Sequence, residues 1–207
     1  LQPSLALASL RSSTPSLWDS LDPTSLDCPP FIRTVSRDDS AASDLTGQLP
    51  VESRRGNKYI LITNYRGYIH FTPQKSKSPS DYVRSFTSIL AFFTAHSLPL
   101  PSLICDNETS LECREYFLLQ RLPVQFVPPQ MHRSNPAEKS VRTAKNHLIA
   151  TFASTHPDFP DDLWDRLLPH AELTLNVLRP WRPNPFSSAW SGLHHLTYDF
   201  AAHPLHP

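Results

Sequence analysis

QFVPPQMHRSNPAEKSVRTAKNHLIA, residues 125–150, runs from a short apolar segment into a long segment whose apolar residues have helical spacing. Val124–Val127 has the composition of a strand. Pro136 favours the first turn of a helix, where its missing N–H costs nothing, and Ser134 or Asn135 suits the N-cap position. The stretch therefore predicts a strand, a loop and a long helix.

The predicted helix has one charged face and one apolar face. Glu138, Arg142 and Lys145 follow one another at helical steps and share the exposed side. Arg133 and Lys139 add positive charge, and Glu138 is the only acid between Arg133 and Lys145. In isolation the pattern equally fits a solvated helix with a Glu–Arg pair. The apolar stripe that we expect to be buried consists of Val141, Ala144, Leu148 and Phe152.

Two further carboxylates come earlier in the chain. Asp106 ends a short apolar run, and Asp44 is followed by Leu-Thr-Gly. Each also fits a purely structural role: Asp106 as the cap of a helix that starts near Ser110, and Asp44 as the acid of a turn. Asp38 and Asp39 have the same chemistry as Asp44, and only the residues after Asp44 favour it over them.

The composition limits the class of protein. The chain has 207 residues, 39% of them hydrophobic, and zero formal net charge, which predicts one domain with tails and only local basic surface. Its three cysteines form no CxxC pair, which argues against a disulfide framework or a zinc site and favours a reducing compartment. No segment approaches the ~20 apolar residues of a membrane span. The chain begins with Leu rather than Met, which suggests a piece of a longer reading frame.

The order of the predicted elements indicates the fold class. Three strands precede a helix, which is followed by a strand, a helix, a strand and the helix of the opening stretch. The first seven ranges are 43–51, 59–63, 68–72, 80–96, 103–105, 110–121 and 124–127. The long first helix can return the chain parallel to the first strand, which predicts Asp106 beside Asp44. We therefore expect an α/β domain with a mixed five-stranded sheet flanked by helices.

The ends of the chain differ in composition from this core. Residues 1–39 are rich in Ser, Pro and Leu and predict a disordered leader. Residues 40–180 form the predicted domain, and residues 181–207 a proline-rich C-terminal extension with a short helix near 187–193. Within the predicted domain, the Ser-rich loop 73–79 joins the third strand to the first helix and carries Lys75 and Lys77.

The three separated acids suggest a metal site. Asp44 and Asp106 lie on adjacent central strands of the predicted sheet, and the helix that carries Glu138 covers one face. Three carboxylates repel one another unless cations are present, and their hard oxygens suit Mg²⁺ or Mn²⁺ better than zinc. Two such ions would serve an in-line phosphoryl transfer.

With these residues in view, the chain resembles the catalytic core of retroviral-type integrases, and in particular those of copia-type LTR retrotransposons. The resemblance covers about residues 40–192. Its segments are Asp44-Leu-Thr-Gly, Gly56-Asn-Lys-Tyr-Ile, Asp106-Asn-Glu and Asn135-Pro-Ala-Glu138. It implies an RNase H-like fold and a polynucleotidyl transferase that processes the ends of a transposable element and joins them to target DNA.

The resemblance also implies roles for individual residues. Asp44, Asp106 and Glu138 match the catalytic, metal-binding DDE motif, and Arg142 and Lys145 match basic residues that hold DNA. We group Lys139 and Arg133 with these nucleic-acid-binding residues.

The expected partners follow from this function. They are two Mg²⁺ or Mn²⁺ ions, the element ends and the target duplex, and further copies of the chain, without a membrane or a small-molecule cofactor. An active integrase would work in the nucleus. Two alternatives remain: a catalytically inactive nucleic-acid-binding remnant of a transposable element, and a nuclease of RNase H type that acts on RNA–DNA hybrids.

Overall fold

The computed structural model describes residues 40–106, 110–127 and 136–205, which belong to one compact unit, Val35–Pro207. The predicted leader, residues 1–39, lies outside the described residues. The strands are β1 Ala41–Leu45, β2 Tyr59–Tyr65, β3 Tyr68–Gln74, β4 Leu103–Asp106, β5 Val124–Val127, β6 Pro180–Trp181 and β7 Asn184–Ser188. The α-helices are α1 Pro79–Ala95, α2 Leu111–Leu119, α3 Pro136–Ala153, α4 Trp164–Val177 and α5 Ala189–His194.

Five strands form one mixed sheet in the order β3-β2-β1-β4-β5. β1, β2 and β3 are a consecutive antiparallel meander, and β4 and β5 add parallel to β1. The crossover through α1 makes this parallel pairing possible, because parallel neighbours need a long connection. The predicted mixed five-stranded sheet flanked by helices is confirmed.

The face of the sheet that packs against α1 and α2 is rich in aromatic residues. Phe93 is fully buried, and its ring lies 5.5 Å from that of Tyr65 in an edge-to-face arrangement. Phe86 and Phe117 pair in the same way between the two helices, with 4.9 Å between ring centroids. Such contacts add to the free energy gained by removing the rings from water.

The opposite face packs against α3 and α4 and has mostly aliphatic residues, together with Phe71 and Trp164. Ala144 and Leu148 of α3 are buried, and Val141 and Phe152 are packed beside them. The apolar stripe predicted from the sequence is thus the buried side of α3. Its strand partners are Ile60, Ile62, Ile69 and Phe71.

Several element boundaries differ from the sequence predictions. β1 ends at Leu45 and not at residue 51, because the exposed Gly47 and Pro50 leave the strand geometry. α1 begins at Pro79 with Ser78 as N-cap, since the Ser78 side chain accepts a hydrogen bond from the Asp81 N–H. β2 and β3 each extend two residues beyond the predicted 63 and 72.

Two elements near the C-terminus were not predicted. α4 forms although it contains Pro169, and the β6–β7 hairpin follows it. Trp181 of the hairpin and Leu193 of α5 are buried in the aromatic core. Gly192 lies so close to Trp181 that a Cβ atom there would be 2.3 Å from the indole ring. The domain limits at residues 40 and 180 stay predictions. None of the helices in the described part of the chain is long and apolar enough to cross a membrane.

Candidate metal and nucleic-acid site

Asp44 and Asp106 lie at the ends of neighbouring parallel strands. Ala41 pairs with Leu103 and Ala42 with Ile104, and the same offset continued along the strands sets Asp44 beside Asp106. Both aspartates are partly exposed and line one pocket of about 190 Å³. The crossover that was inferred from the sequence therefore brings two of the three predicted acids together.

The register of the sheet determines which face these two side chains share. Asp44 is the cross-strand partner of Ile62, which belongs to the core beneath α3 and α4. Asp106 is the partner of Val127, which packs with Ala137 of α3. Because directly paired residues point to the same face, both carboxylates are on the α3 side of the sheet.

The first turn of α3 is fixed to that side. Ala137 is fully buried and contacts the small cluster of Ala42, Ile104 and Val127. The Asn64 side chain on β2 donates a buried hydrogen bond of 2.6 Å to the Ser140 hydroxyl. Glu138 lies between these two anchors and is exposed.

The structure does not place Glu138 in the lining of the aspartate pocket. Within residues 40–106, 110–127 and 136–205, no three His, Cys, Asp or Glu side chains are grouped closely enough to hold a metal ion. The metal-binding and catalytic roles of Asp44, Asp106 and Glu138 thus remain predictions.

One structural alternative for Asp106 can be set aside. The N-cap of α2 is Ser110, whose side chain accepts a hydrogen bond from the Cys113 N–H. Asp106 is the last residue of β4 and does not cap that helix. Asp38 and Asp39, which have the same chemistry as Asp44, lie outside the described residues.

The buried thiol of Cys105 also lines the pocket, between two acidic neighbours. Burial raises the pKa of Cys105 well above its ordinary value, and the nearby Cys113, Asp44 and Asp106 raise it further. The thiol therefore stays protonated at neutral pH and does not compete as a thiolate ligand. The carboxylates supply the negative charge of the pocket.

The predicted basic face of α3 lies in solvent. Lys139, Arg142 and Lys145 are all exposed on the helix that begins with Glu138. Arg133 lies outside the described residues. A solvated face remains an equally good structural description of these side chains, and their role with nucleic acid stays a prediction.

Sequence reasoning missed part of the pocket. Lys77 from the loop before α1 lines it, as do Tyr82 and Phe86 of α1. The available signal was the position of this loop after β3, since β3 runs parallel to β1 and therefore ends at the same edge of the sheet as Asp44.

Comparisons with known proteins connect this geometry to a fold. No protein-family model matches the sequence, and no curated protein is significantly similar to it. Among solved structures, the simian T-cell lymphotropic virus intasome in complex with PP2A regulatory subunit B56 gamma aligns with a TM-score of 0.54 and 20% identity. That match covers 75% of this chain and 54% of the viral chain, so this chain spans about half the length of that relative.

Two isolated integrase domains align over almost their full length. The HTLV-2 integrase catalytic core domain in complex with magnesium, in its trimeric form, has a TM-score of 0.53 and 17% identity, over 75% of this chain and 95% of its own. The catalytic core domain of BIV integrase has a TM-score of 0.53 and 14% identity, over 76% and 95%. At these identities the similarity establishes the fold: the chain has the RNase H-like fold of retroviral integrase catalytic cores.

Proposed function

We propose that the chain is the catalytic core of an integrase-like polynucleotidyl transferase from a copia-type LTR retrotransposon. It would process the DNA ends of the element and join them to target DNA. The observation that carries the proposal is that Asp44 and Asp106 lie side by side at the ends of neighbouring parallel strands, with both side chains on the face that α3 covers. The fold shared with retroviral integrase cores supports it.

The donor atoms of this pocket fit a divalent cation. Two carboxylates from adjacent strands offer hard oxygen ligands, and the neighbouring Cys105 thiol stays protonated. In the proposed enzyme Asp44, Asp106 and Glu138 would hold Mg²⁺ or Mn²⁺, two ions in all. Bound ions of this kind supply Lewis acidity and neutralise charge on a phosphoryl group. The related HTLV-2 domain is in complex with magnesium.

The chain's own residues would position the DNA. Lys139, Arg142 and Lys145 present positive charge along the exposed side of α3, next to Glu138, and Arg133 precedes them in sequence. Successive basic residues on a helix can contact successive phosphates. We propose that the element ends and the target duplex bind here, that the protein works as an oligomer, and that an active form would act in the nucleus.

The test is divalent-metal-dependent cleavage of DNA by the chain and its variants. Asp106→Asn removes one carboxylate charge without changing the shape of the side chain. We expect it to reduce Mn²⁺-dependent nicking of a duplex by on the order of 100-fold or more, with DNA binding retained. Glu138→Gln should behave in the same way, whereas Glu112→Gln, an exposed acid in the first turn of α2, should be neutral.

A second candidate function has a specific observation in its favour. Glu138 does not line the pocket of Asp44 and Asp106, which fits a catalytically inactive nucleic-acid-binding remnant of a transposable element. In that case the wild-type chain binds DNA in proportion to its basic surface but does not nick it in Mg²⁺ or Mn²⁺. Nicking that is equal in wild type and Asp106→Asn would identify a contaminating nuclease and count against the proposed enzyme.

A further inference from the structure

We propose that a groove along the open edge of β3 binds a small organic amine, with its ammonium at Asp165 and its apolar body against Trp190. This β3 groove has a volume of about 420 Å³, and residues of β3, α4 and α5 line it. β3 is the outermost strand on one side of the sheet, two strands away from β1 and three from β4. The β3 groove is therefore a different site from that of the two aspartates, and a ligand there does not depend on the proposed function.

Side chains of α4 occupy the hydrogen-bonding groups on the open edge of β3. The Asn176 side chain accepts a hydrogen bond from the Ile69 N–H and donates one to the Ile69 carbonyl, both at 2.8 Å. The Glu172 carboxylate accepts a hydrogen bond of 2.9 Å from the Phe71 N–H. Pro73 has no N–H to donate. A peptide cannot add to β3 as a further strand, so the groove favours a small molecule.

Asp165, at the start of α4, has a carboxylate oxygen that lacks a donor. Its side chain is 1% exposed, and Oδ2 accepts a hydrogen bond of 2.9 Å from the Asn57 side chain. Oδ1 is buried and accepts no hydrogen bond from any residue in the described part of the chain. A buried acceptor without a donor is costly, and a ligand N–H would satisfy it. Because only one oxygen is open, a compact ammonium fits it better than a guanidinium, which binds both oxygens of a carboxylate.

Arg55 lies beside Asp165 at the same end of the β3 groove. Its Nε atom is 4.0 Å from Asp165 Oδ2, which is beyond hydrogen-bond distance, and its side chain is 51% exposed. Because Oδ1 is buried, an ammonium reaches it only when a neighbouring side chain moves aside, and Arg55 is the one that moves. Its displacement costs little, since an exposed ion pair without a hydrogen bond is weak. Arg55 thus competes with the ligand for Asp165.

The other end of the β3 groove has an aromatic and uncharged wall. The ring of Trp190 lies 4.5 Å from that of His194, and Leu173 lines the groove with them. Burial lowers the pKa of His194 more than the nearby Glu172 raises it, so this ring is uncharged at neutral pH. Asp165 and Leu173 are eight residues apart on α4, about 12 Å along the helix axis. A ligand that spans the groove therefore needs an ammonium at one end of an apolar body.

The experiment compares three probes with a similar apolar body: hexylamine, hexanol and hexanoate. Isothermal titration calorimetry at neutral pH measures their binding to the full 207-residue chain, and the indole N–H signal of Trp190 in a nitrogen–proton NMR spectrum reports where they bind. We expect hexylamine to bind about tenfold more tightly than hexanol, because it gains a charge-assisted hydrogen bond, and hexanoate to bind most weakly. The indole signal of Trp190 should shift as hexylamine is added.

Two variants and their matched controls test the roles of the charged residues. Asp165→Asn should lower the affinity for hexylamine about tenfold and remove its preference over hexanol, whereas Asp161→Asn, at an exposed acid before α4, should match wild type. Arg55→Ala should raise the affinity for hexylamine about threefold and leave that for hexanol unchanged. Arg54→Ala, at an exposed arginine that pairs with Asp162, should have no effect.

The remaining outcomes overturn the proposal. Equal affinities of wild type for hexylamine and hexanol would show that Asp165 does not bind the ammonium, and binding that leaves the Trp190 signal unchanged would place the ligand elsewhere. If Asp165→Asn does not fold, Arg55→Ala decides alone, because a hexylamine affinity equal to or below that of wild type excludes competition for Asp165. Tighter binding of a short lysine-containing peptide than of hexylamine would assign the groove to a protein partner and not to a small amine.

Discussion

Two parts of the core, on opposite faces of the central sheet, differ in the size of their side chains. Under α1 and α2 the core includes large aromatic rings, among them Tyr65, Phe86 and Phe93. Under the first turn of α3, next to Asp44 and Asp106, it narrows to a small cluster that includes Ala42 and Ala137. Large rings bury much apolar area, and small residues let a helix approach the strand ends. We therefore expect the aromatic residues under α1 to contribute mainly to stability, and the small cluster to fix the first turn of α3 beside Asp44 and Asp106.

The largest expected effect tests the aromatic face. Phe93→Ala removes a fully buried ring that contacts Tyr65 edge to face, and we expect it to lower the free energy of unfolding by about 3–5 kcal/mol, as measured by chemical denaturation. Phe200→Ala, at an exposed phenylalanine, should change it by less than about 0.5 kcal/mol. Where Phe93→Ala is still folded, its Mn²⁺ affinity should equal that of wild type. A selective loss of metal binding would contradict the separation of the two faces.

The small cluster should respond in the opposite way. Ala137→Leu places a larger side chain at a fully buried position beneath the turn that carries Glu138. Overpacking of this kind costs about 1–3 kcal/mol, and we expect the displaced turn to lower Mn²⁺ affinity at least about tenfold. Ala150→Leu, at an exposed position of the same helix, is the control and should leave both quantities unchanged. Normal Mn²⁺ binding by a destabilised Ala137→Leu would show that the position of α3 does not matter to the site.

The smallest effect is a dependence of stability on pH at the rim of the aromatic face. His194 on α5 lies 4.7 Å from the ring of His96, at the end of α1. Burial lowers the pKa of His194 below its ordinary value, and the proximity of His96 lowers it further, while Glu172 opposes and His195 adds to the shift. The folded state thus binds a proton less readily than the unfolded state. This contribution to stability is complete above the unfolded pKa near 6.5 and is lost as the pH falls below it.

Thermal unfolding between pH 7.5 and pH 5 measures this contribution. We expect the unfolding midpoint of wild type to fall on acidification, and the midpoint of His194→Gln to fall by a smaller amount. His147 has a pKa that is lowered mainly by burial and should account for a further part. His203→Gln, at an exposed histidine, should follow the wild-type curve. If the unfolding midpoint of His194→Gln depends on pH as steeply as that of wild type, His194 does not contribute to the pH dependence of stability.

Most of the sheet could be predicted because its signals are local. Tyr59–Tyr65 is a β-rich apolar run next to a turn, and the spacing within Pro79–Ala95 is helical. α4 was not predicted as a helix, since Pro169 in its interior reads as a break, yet the helix forms with that proline inside it. Trp181 of the C-terminal hairpin is buried in the aromatic core, yet it lies among prolines, which predict an extension and not a pair of strands.

The features of the candidate site also differ in whether a sequence pattern predicts them. The approach of Asp106 to Asp44 followed from one rule, the parallel return of a long crossover. The hydrogen bond from Asn64 to Ser140 joins residues 76 positions apart, and no local pattern announces it. Lys77 was predicted only as part of a basic, Ser-rich loop. Its place in the pocket lining depends on the parallel direction of β1 and β3, which its neighbours in sequence do not reveal.

The close approach of Gly192 to the indole of Trp181 has a practical consequence for anyone choosing a fragment to express. A fragment that ends at residue 180 matches the predicted domain limit. It would nevertheless lack Trp181, Ala189 and Leu193, three members of the aromatic core. Its remaining rings would be left uncovered, which favours inclusion bodies over soluble material. A fragment that extends beyond His194 retains the hairpin and α5, which cover this part of the hydrophobic core.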